Sequence, residues 1–260
     1  MFEIMSLRFK IVFLVSLSVL LLLSTRAGVA FAALTPSSTP HERTVVVPVL
    51  TYHYIRPLDG LDATGAGLSV SPQRFAAQME ELVRKGYRTI TPAELTAALT
   101  EGAALPAKPI LLTFDDGYYD QYTEALPILR RLDLQATFFI IPGFTVRTGY
   151  MYPKTIRALD ASGLATIAAH TEHHLDLRQL PLKKMRAEIQ ASKIDLEKMT
   201  GHPIVDFAYP FGDFNRTVEH EVRAAGFHTA FSTLSGERQS SSTLFEIRRI
   251  RVMNGSSIDY

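Results

Sequence analysis

The chain contains no cysteine. That single absence excludes disulfides, thiolate metal ligands and cysteine nucleophiles, and a chain of 260 residues has core enough to do without covalent staples. An excess of charge is also lacking, because 27 Lys and Arg stand against 26 Asp and Glu. Removing the three basic and one acidic residues of positions 1–33 leaves 24 against 25. Nothing resembles the basic stripe of a nucleic-acid binder, so neither nucleic acid nor another electrostatically held polyanion is an expected partner. No internal repeat is found, and with 47% apolar residues neither disorder nor a fibrous chain is indicated. The longest uninterrupted apolar stretch, Ile11 to Ser24, has 14 residues, short of the roughly 20 that span a membrane.

What that stretch does have is the layout of a secretory leader. Arg8 and Lys10 precede it, and Ala30-Phe31-Ala32 follows with small residues at the spacing of a signal-peptidase site. Residues 1–33 are therefore expected to be a signal peptide, or an uncleaved N-terminal membrane anchor extended past Arg26. The protein is expected to be secreted or extracytoplasmic, with membrane association only through that segment. Residues 34–43 carry Pro, Ser and Thr without apolar periodicity and read as a linker. Residues 44–260 then form one domain.

Within that domain short apolar runs alternate with helical ones. Val45–Tyr54, Tyr87–Ile90, Ile110–Phe114, Ala136–Ile141, Ala165–Ala169, Val205–Tyr209, His228–Ser232 and Ile247–Val252 have strand character. Between them Gln73–Lys85, Pro92–Thr100, Tyr119–Leu132, Pro153–Ser162, Leu182–Thr200 and Thr217–Ala225 have helical character. Ser71-Pro72 supplies an N-cap and a first-turn proline, and Gly86, Gly163, Gly201 and Gly226 stand where helices should stop. Such alternation predicts a parallel α/β fold, and seven or eight strands favour a (β/α)7-8 barrel, closed or incomplete. Residues 56–70, rich in Gly and Asp, are expected to be a long irregular loop.

His53, Asp115, Asp116, His170, Tyr209 and Pro210 all fall at or just after strand C-termini, the rim on which barrel active sites are built. Thr113-Phe114-Asp115-Asp116-Gly117 presents adjacent carboxylates. In a regular strand they would face opposite ways, so Gly117 must mark a turn that lets one bind a metal while its neighbour accepts a proton. His170-Thr171-Glu172-His173-His174 offers two imidazoles, His170 and His174, that a helix or a tight loop would converge, with His173 a bystander. Thr171 and Glu172 are placed to orient the ring N–H groups. An Asp with two His leaves open positions on a divalent ion for water and substrate. His53 ends its strand and by itself reads equally well as a buried structural histidine.

These motifs, with Phe207-Ala208-Tyr209-Pro210-Phe211-Gly212, resemble the first three motifs of the polysaccharide deacetylases, carbohydrate esterase family four, with its NodB-like domain. The resemblance runs from Val45 to Val252 and implies a distorted (β/α) barrel. It implies that Asp115 is the catalytic base, that Asp116, His170 and His174 hold a divalent metal, Zn²⁺ with Co²⁺ or Ni²⁺ as alternatives, and that the Phe211 N–H helps hold an oxyanion. Two departures accompany it: Ala208 stands where the family usually has an arginine that braces the base, and no Leu-x-His motif follows near the C-terminus. Both are accounted for in the branch that includes the poly-N-acetylglucosamine deacetylases, in which the acid histidine lies on the first strand, as His53 does in Val49-Leu50-Thr51-Tyr52-His53-Tyr54-Ile55.

Tyr209 and Arg249 are then expected to contact substrate or brace the base, Arg248 and Arg251 being rivals of Arg249 and a solvated edge strand the bland reading of all three. Tyr54, Tyr118 and Tyr150 can stack on sugars or simply pack. The implied activity is metal-dependent removal of N-acetyl groups from an N-acetylglucosamine-containing extracellular or cell-wall polysaccharide. The alternatives are a non-catalytic glycan-binding protein on the same fold, or an O-acetyl esterase or other amidase using the same site.

Overall fold

Pro48 and the turn at His53 break the first strand-like run into three pieces: β1 (Thr44–Val46), β2 (Val49–Tyr52) and β3 (Tyr54–Ile55). This computed structural model describes residues 42–257, so the expected leader and all of the linker except Glu42 and Arg43 lie outside the described residues. The chain continues through α1 (Ala63–Leu68), β4 (Ser69–Val70), α2 (Pro72–Arg84), β5 (Arg88–Thr89), α3 (Pro92–Thr100) and β6 (Pro109–Phe114). A π turn, Gln121–Ala125, leads into α4 (Leu126–Leu132), followed by β7 (Ala136–Ile140), α5 (Pro153–Asp160), β8 (Ala165–Ala169) and α6 (Leu182–Thr200). The remaining elements are β9 (Asp206–Ala208), α7 (Arg216–Ala224), β10 (Thr229–Phe231), β11 (Arg238–Ser240) and β12 (Ile250–Arg251).

The main sheet runs β10-β9-β8-β7-β6-β2-β12, all parallel, with β5 paired to the start of β6. Its two ends are stitched together by the segment before β12: Ile247 bridges Phe231, and the Ser232 and Arg249 N–H groups donate to the carbonyls of Ile247 and Leu234. The result is a curled sheet wrapped by helices, a distorted (β/α) barrel in a single domain. β2 and β7 are buried at every residue and β6 at all but its first, as expected of strands covered on both faces.

The helix boundaries follow local chemistry. The Ser71 hydroxyl accepts from Arg74 N–H ahead of Pro72, and Thr91 with Glu94 closes a capping box on α3. Gly201 caps α6 at a φ of 82°.

Three expectations change. Residues 56–70 are not an irregular loop throughout: Asp62 caps α1 by accepting from Gly65 N–H, and β4 pairs with β3. Tyr119–Leu132 is not one α-helix, because its first turn is wound as the π turn. Ile247–Val252 keeps regular strand only at β12. β11, antiparallel to β1, is an addition that its polar sequence Arg238-Gln239-Ser240 did not announce.

Candidate active site

Consecutive carboxylates reach one side of the sheet because the chain leaves β6 through two left-handed residues. Asp116 has a φ of 75° and Gly117 of 76°. A Cβ at Gly117 would lie 3.1 Å from Ile140 Cδ1, a tight contact, on a positive φ that glycine adopts without strain. Both carboxylates therefore line one pocket of about 540 Å³ at the C-terminal ends of the strands, together with His53, His170, His174 and Phe211.

Asp115, 3% exposed, is held by a fork. Arg249 Nη1 donates to Oδ1 at 2.7 Å and Nη2 to Oδ2 at 2.9 Å, while Arg249 Nε donates to the Ser232 carbonyl at 2.8 Å. Burial alone would raise the Asp115 carboxyl, but the Arg249 charge, joined by His170 and His53, outweighs it and holds the acid at about 2. Asp115 is thus ionised throughout the physiological range. Arg249 is itself 3% exposed, which sets aside a solvated edge strand for this residue. Of its two rivals, Arg251 lies on the pocket rim and donates to the Gly67 carbonyl, and Arg248 donates to the Ser235 carbonyl.

Asp116, His170 and His174 place one ligand atom each within 4.8 Å of one another. The His pair converges through a loop rather than a helix, with Thr171 at a φ of 61° and His174 at 56°. His170 Nδ1–H donates to the Ala208 carbonyl at 2.8 Å, which leaves Nε2 as a lone-pair donor facing Asp116. Each histidine Nε2 stands 3.5 Å from Asp116 Oδ1. Two donors on a common ion at bond lengths of about 2.1 Å and a tetrahedral angle lie roughly 3.4 Å apart, so the spacing fits a divalent cation.

The electrostatics fit as well. Burial, opposed by the pull of His53 and helped by repulsion from Asp115, pushes Asp116 up to about 6. Burial, reinforced by His174, pushes His170 down to about 3, and His174 is lowered by burial too. A buried carboxylate between two neutral imidazoles is a donor set that a cation would stabilise. Tyr118 also hydrogen-bonds the Asp116 carboxylate.

His53 is half-buried on the pocket wall, and burial lowers its imidazole while Asp115 and Asp116 pull the other way. Sequence reasoning missed Gln121, whose Nε2 donates to the His53 carbonyl at 2.9 Å and the Asp115 carbonyl at 2.6 Å. It ties the ends of β2 and β6 together from the π turn. Phe211 follows Pro210 with a φ of 61° and is 58% exposed, its ring edge-on to His174 at 4.6 Å.

Other expectations fail on geometry. Tyr209 does not reach the pocket: it is fully buried, its ring stacks on Phe214, and its hydroxyl donates to the Phe245 carbonyl at 3.0 Å. Thr171 does not orient a ring nitrogen, because its hydroxyl accepts from the His174 backbone N–H at 2.9 Å. No hydrogen bond joins the Glu172 side chain to either ring among the described residues, and its Oε2 has no hydrogen-bond partner there. Tyr54 has both faces covered, one by Tyr118 at 3.6 Å and one by the Arg56 guanidinium.

A family model described as polysaccharide deacetylase matches residues 102–230. The chain belongs to that family. The match includes Asp115, Asp116, His170, His174 and Phe211 but neither His53 nor Arg249. YxkH of Bacillus subtilis (strain 168) is 29% identical over 216 residues, 83% of this chain and 75% of that protein. The poly-β-1,6-N-acetyl-D-glucosamine N-deacetylase of Escherichia coli (strain K12) is 25% identical over 234 residues, 74% of this chain, which spans about a third (34%) of that relative's length. Among solved structures, Streptococcus pyogenes deacetylase PplD in complex with acetate superposes with a TM-score of 0.76 at 28% identity, covering 82% of this chain and 95% of that one. This deacetylase shares the curled parallel sheet and its helices with that neighbour.

Proposed function

We propose that this deacetylase is an extracytoplasmic enzyme that removes N-acetyl groups from a β-linked poly-N-acetylglucosamine-type glycan, with Zn²⁺ the metal and Co²⁺ or Ni²⁺ able to replace it. The observation that carries the reading is the Asp116–His170–His174 cluster set beside an Asp115 carboxylate that Arg249 keeps ionised and oriented, all in one pocket. The leader-like residues 1–33 support export, and the name of the Escherichia coli relative supports the glycan.

A divalent ion held by Asp116, His170 and His174 would supply Lewis-acid polarisation of the acetamide carbonyl and lower the pKa of a water beside it. Asp115 then accepts a proton from the attacking water. Arg249 keeps it ionised and so able to accept that proton, and the fork fixes the direction from which it acts. The Phe211 N–H, turned by its left-handed backbone, donates to the oxygen that gains charge as the carbonyl carbon becomes tetrahedral. His53, entering the step as the imidazolium that the charges of Asp115 and Asp116 favour, gives its proton to the nitrogen as the C–N bond breaks, releasing acetate and a free amine. In this account Arg249 performs the bracing that the family usually assigns to the position of Ala208.

The same residues would attack an O-acetyl ester, so the deciding experiment measures both products. The protein is incubated with β-1,6 and β-1,4 N-acetylglucosamine oligomers, with Zn²⁺ and after chelation, and acetate and free amine are quantified together. Metal-dependent release of both in equal amounts is the expected result, and acetate without amine from an O-acetylated glycan would replace the amidase with an esterase. Retention of oligomers with no release from any of them would replace it with a binding role.

A further inference from the structure

Helix α6 buries the face Met185, Glu188, Ile189, Ser192 and Leu196, a helical stripe in which Glu188 is the one ionisable member. A carboxylate on an apolar stripe must be paired, and the Glu188 carboxylate, in a residue 6% exposed, is bonded to the loop that carries His170 and His174. Glu188 Oε2 accepts the His173 backbone N–H at 2.8 Å, and Oε1 accepts His173 Nδ1–H at 3.0 Å. The Glu188 backbone carbonyl accepts Glu172 N–H at 3.1 Å. From the other side Gly143 N–H donates to the Glu172 carbonyl at 3.0 Å, an approach so close that a Cβ at Gly143 would collide with that oxygen.

The segment so gripped is strained: Thr171 and His174, flanking the gripped pair, both lie in the left-handed region without being glycine. Left-handed residues persist only where their surroundings over-determine them. His174 enters the cation cluster directly from that strained turn, and its own backbone N–H is tied only to Thr171 within the loop. Backbone bonds hold the loop at Glu172 and at His170, and the Glu188 carboxylate adds the side-chain tether at His173, the residue that precedes His174.

We propose that Glu188, acting through His173, is a positioning residue that holds the 170–174 loop in its cation-binding form, so that removing it weakens metal binding while leaving the chemistry of the loaded site intact. This rests on the reading of Asp116, His170 and His174 as a metal site. It gives His173, which holds no ligand position, a function through its ring and its backbone together.

The test is carried out on the full chain stripped of metal, with Zn²⁺ affinity measured against a chromophoric chelator, the visible spectrum of the Co²⁺ form recorded, and the melting temperature of the metal-free protein followed in parallel. Glu188→Ala is expected to lose about 10- to 100-fold in Zn²⁺ affinity, the range seen when the partners of metal ligands are removed. Its Co²⁺ spectrum should change in intensity as the ligand set relaxes, and turnover should recover at saturating Zn²⁺. Glu188→Gln, which still accepts the His173 backbone N–H, should restore much of the affinity. His173→Ala alters an exposed side chain and spares the core, so it carries the test if Glu188→Ala does not fold; it should lose several-fold. Affinity within about twofold of the parent in folded Glu188→Ala, or in His173→Ala where Glu188→Ala does not fold, would overturn the proposal, since loss of such a partner typically costs about tenfold or more. A parent chain that binds no Zn²⁺ would instead overturn the metal reading on which it rests.

Discussion

Asp115 and Arg249 form a buried ion pair whose two members cannot be changed independently. Asp115→Asn should abolish deacetylation while Zn²⁺ still binds, because the ligands stand on neighbouring residues; turnover in that variant, measured as acetate release, would displace Asp115 as the base. Arg249→Met strands a buried carboxylate and should cost about 3–5 kcal/mol in urea unfolding, whereas Asp115→Asn should cost less. The sign of the pH dependence follows from the same pair. Asp115 is depressed to about 2 from 3.8, so its contribution to stability is complete above pH 3.8 and is lost as pH falls through 2. His53 can be separated from both by the leaving group. His53→Gln should lower amide turnover about 10²–10⁴-fold, the range for loss of a general acid, and spare 4-nitrophenyl acetate, whose phenolate departs without a proton. Equal loss on both substrates would deny His53 that role. Of these three residues, Asp115 stood out in its acidic motif and His53 only once the family resemblance was added to its strand-end position, while Arg249 was one of three candidates: which arginine turns inward depends on the pairing of Arg249 N–H with Leu234, a contact that no local pattern encodes.

Elements explain why the site residues meet. Strand ends were readable because buried parallel strands are short apolar runs, and β6 and β8 place Asp116 and His170 within two residues of their last strand position, with His174 reached around the loop that follows. Turns were less readable. The left-handed residues Asp116, Thr171, His174 and Phe211 are not glycine, so no residue type advertised them. Tyr209 was misread for a related reason: its place after β9 suggested the rim, but the chain turns at Pro210 and exposes Phe211 instead. Gly212 supports that turn at a φ of 74°, and a Cβ there would overlap the Thr233 side chain. Gly212→Ala should therefore destabilise the protein by roughly 2 kcal/mol or more, from backbone strain plus overpacking, and reduce kcat with it. An unchanged melting temperature and rate would show that the turn tolerates a side chain.

At the scale of the molecule, near-neutral charge and the absence of cysteine leave metal and pH as the external variables. Asp116, raised to about 6, must ionise to bind a cation, while His170, lowered to about 3, is already neutral well above that value. Apparent Zn²⁺ affinity should thus fall roughly tenfold per pH unit below 6 and level off above it, since each bound ion displaces one proton. Titrations from pH 5 to 8 test this, and a midpoint unmoved from the ordinary carboxylate range would reject the raised Asp116. Barrel class and helix order were evident from alternation alone, whereas the β1–β11 pairing joins polar segments far apart in sequence and left no periodic trace. One consequence concerns synthesis. Arg249 follows Asp115 by 134 residues and reaches it only after β12 docks on β2, so a nascent chain holds its aspartates without their counter-charge until that late strand arrives. A chain released before Arg249 has been made therefore carries Asp115 with no guanidinium to hold it.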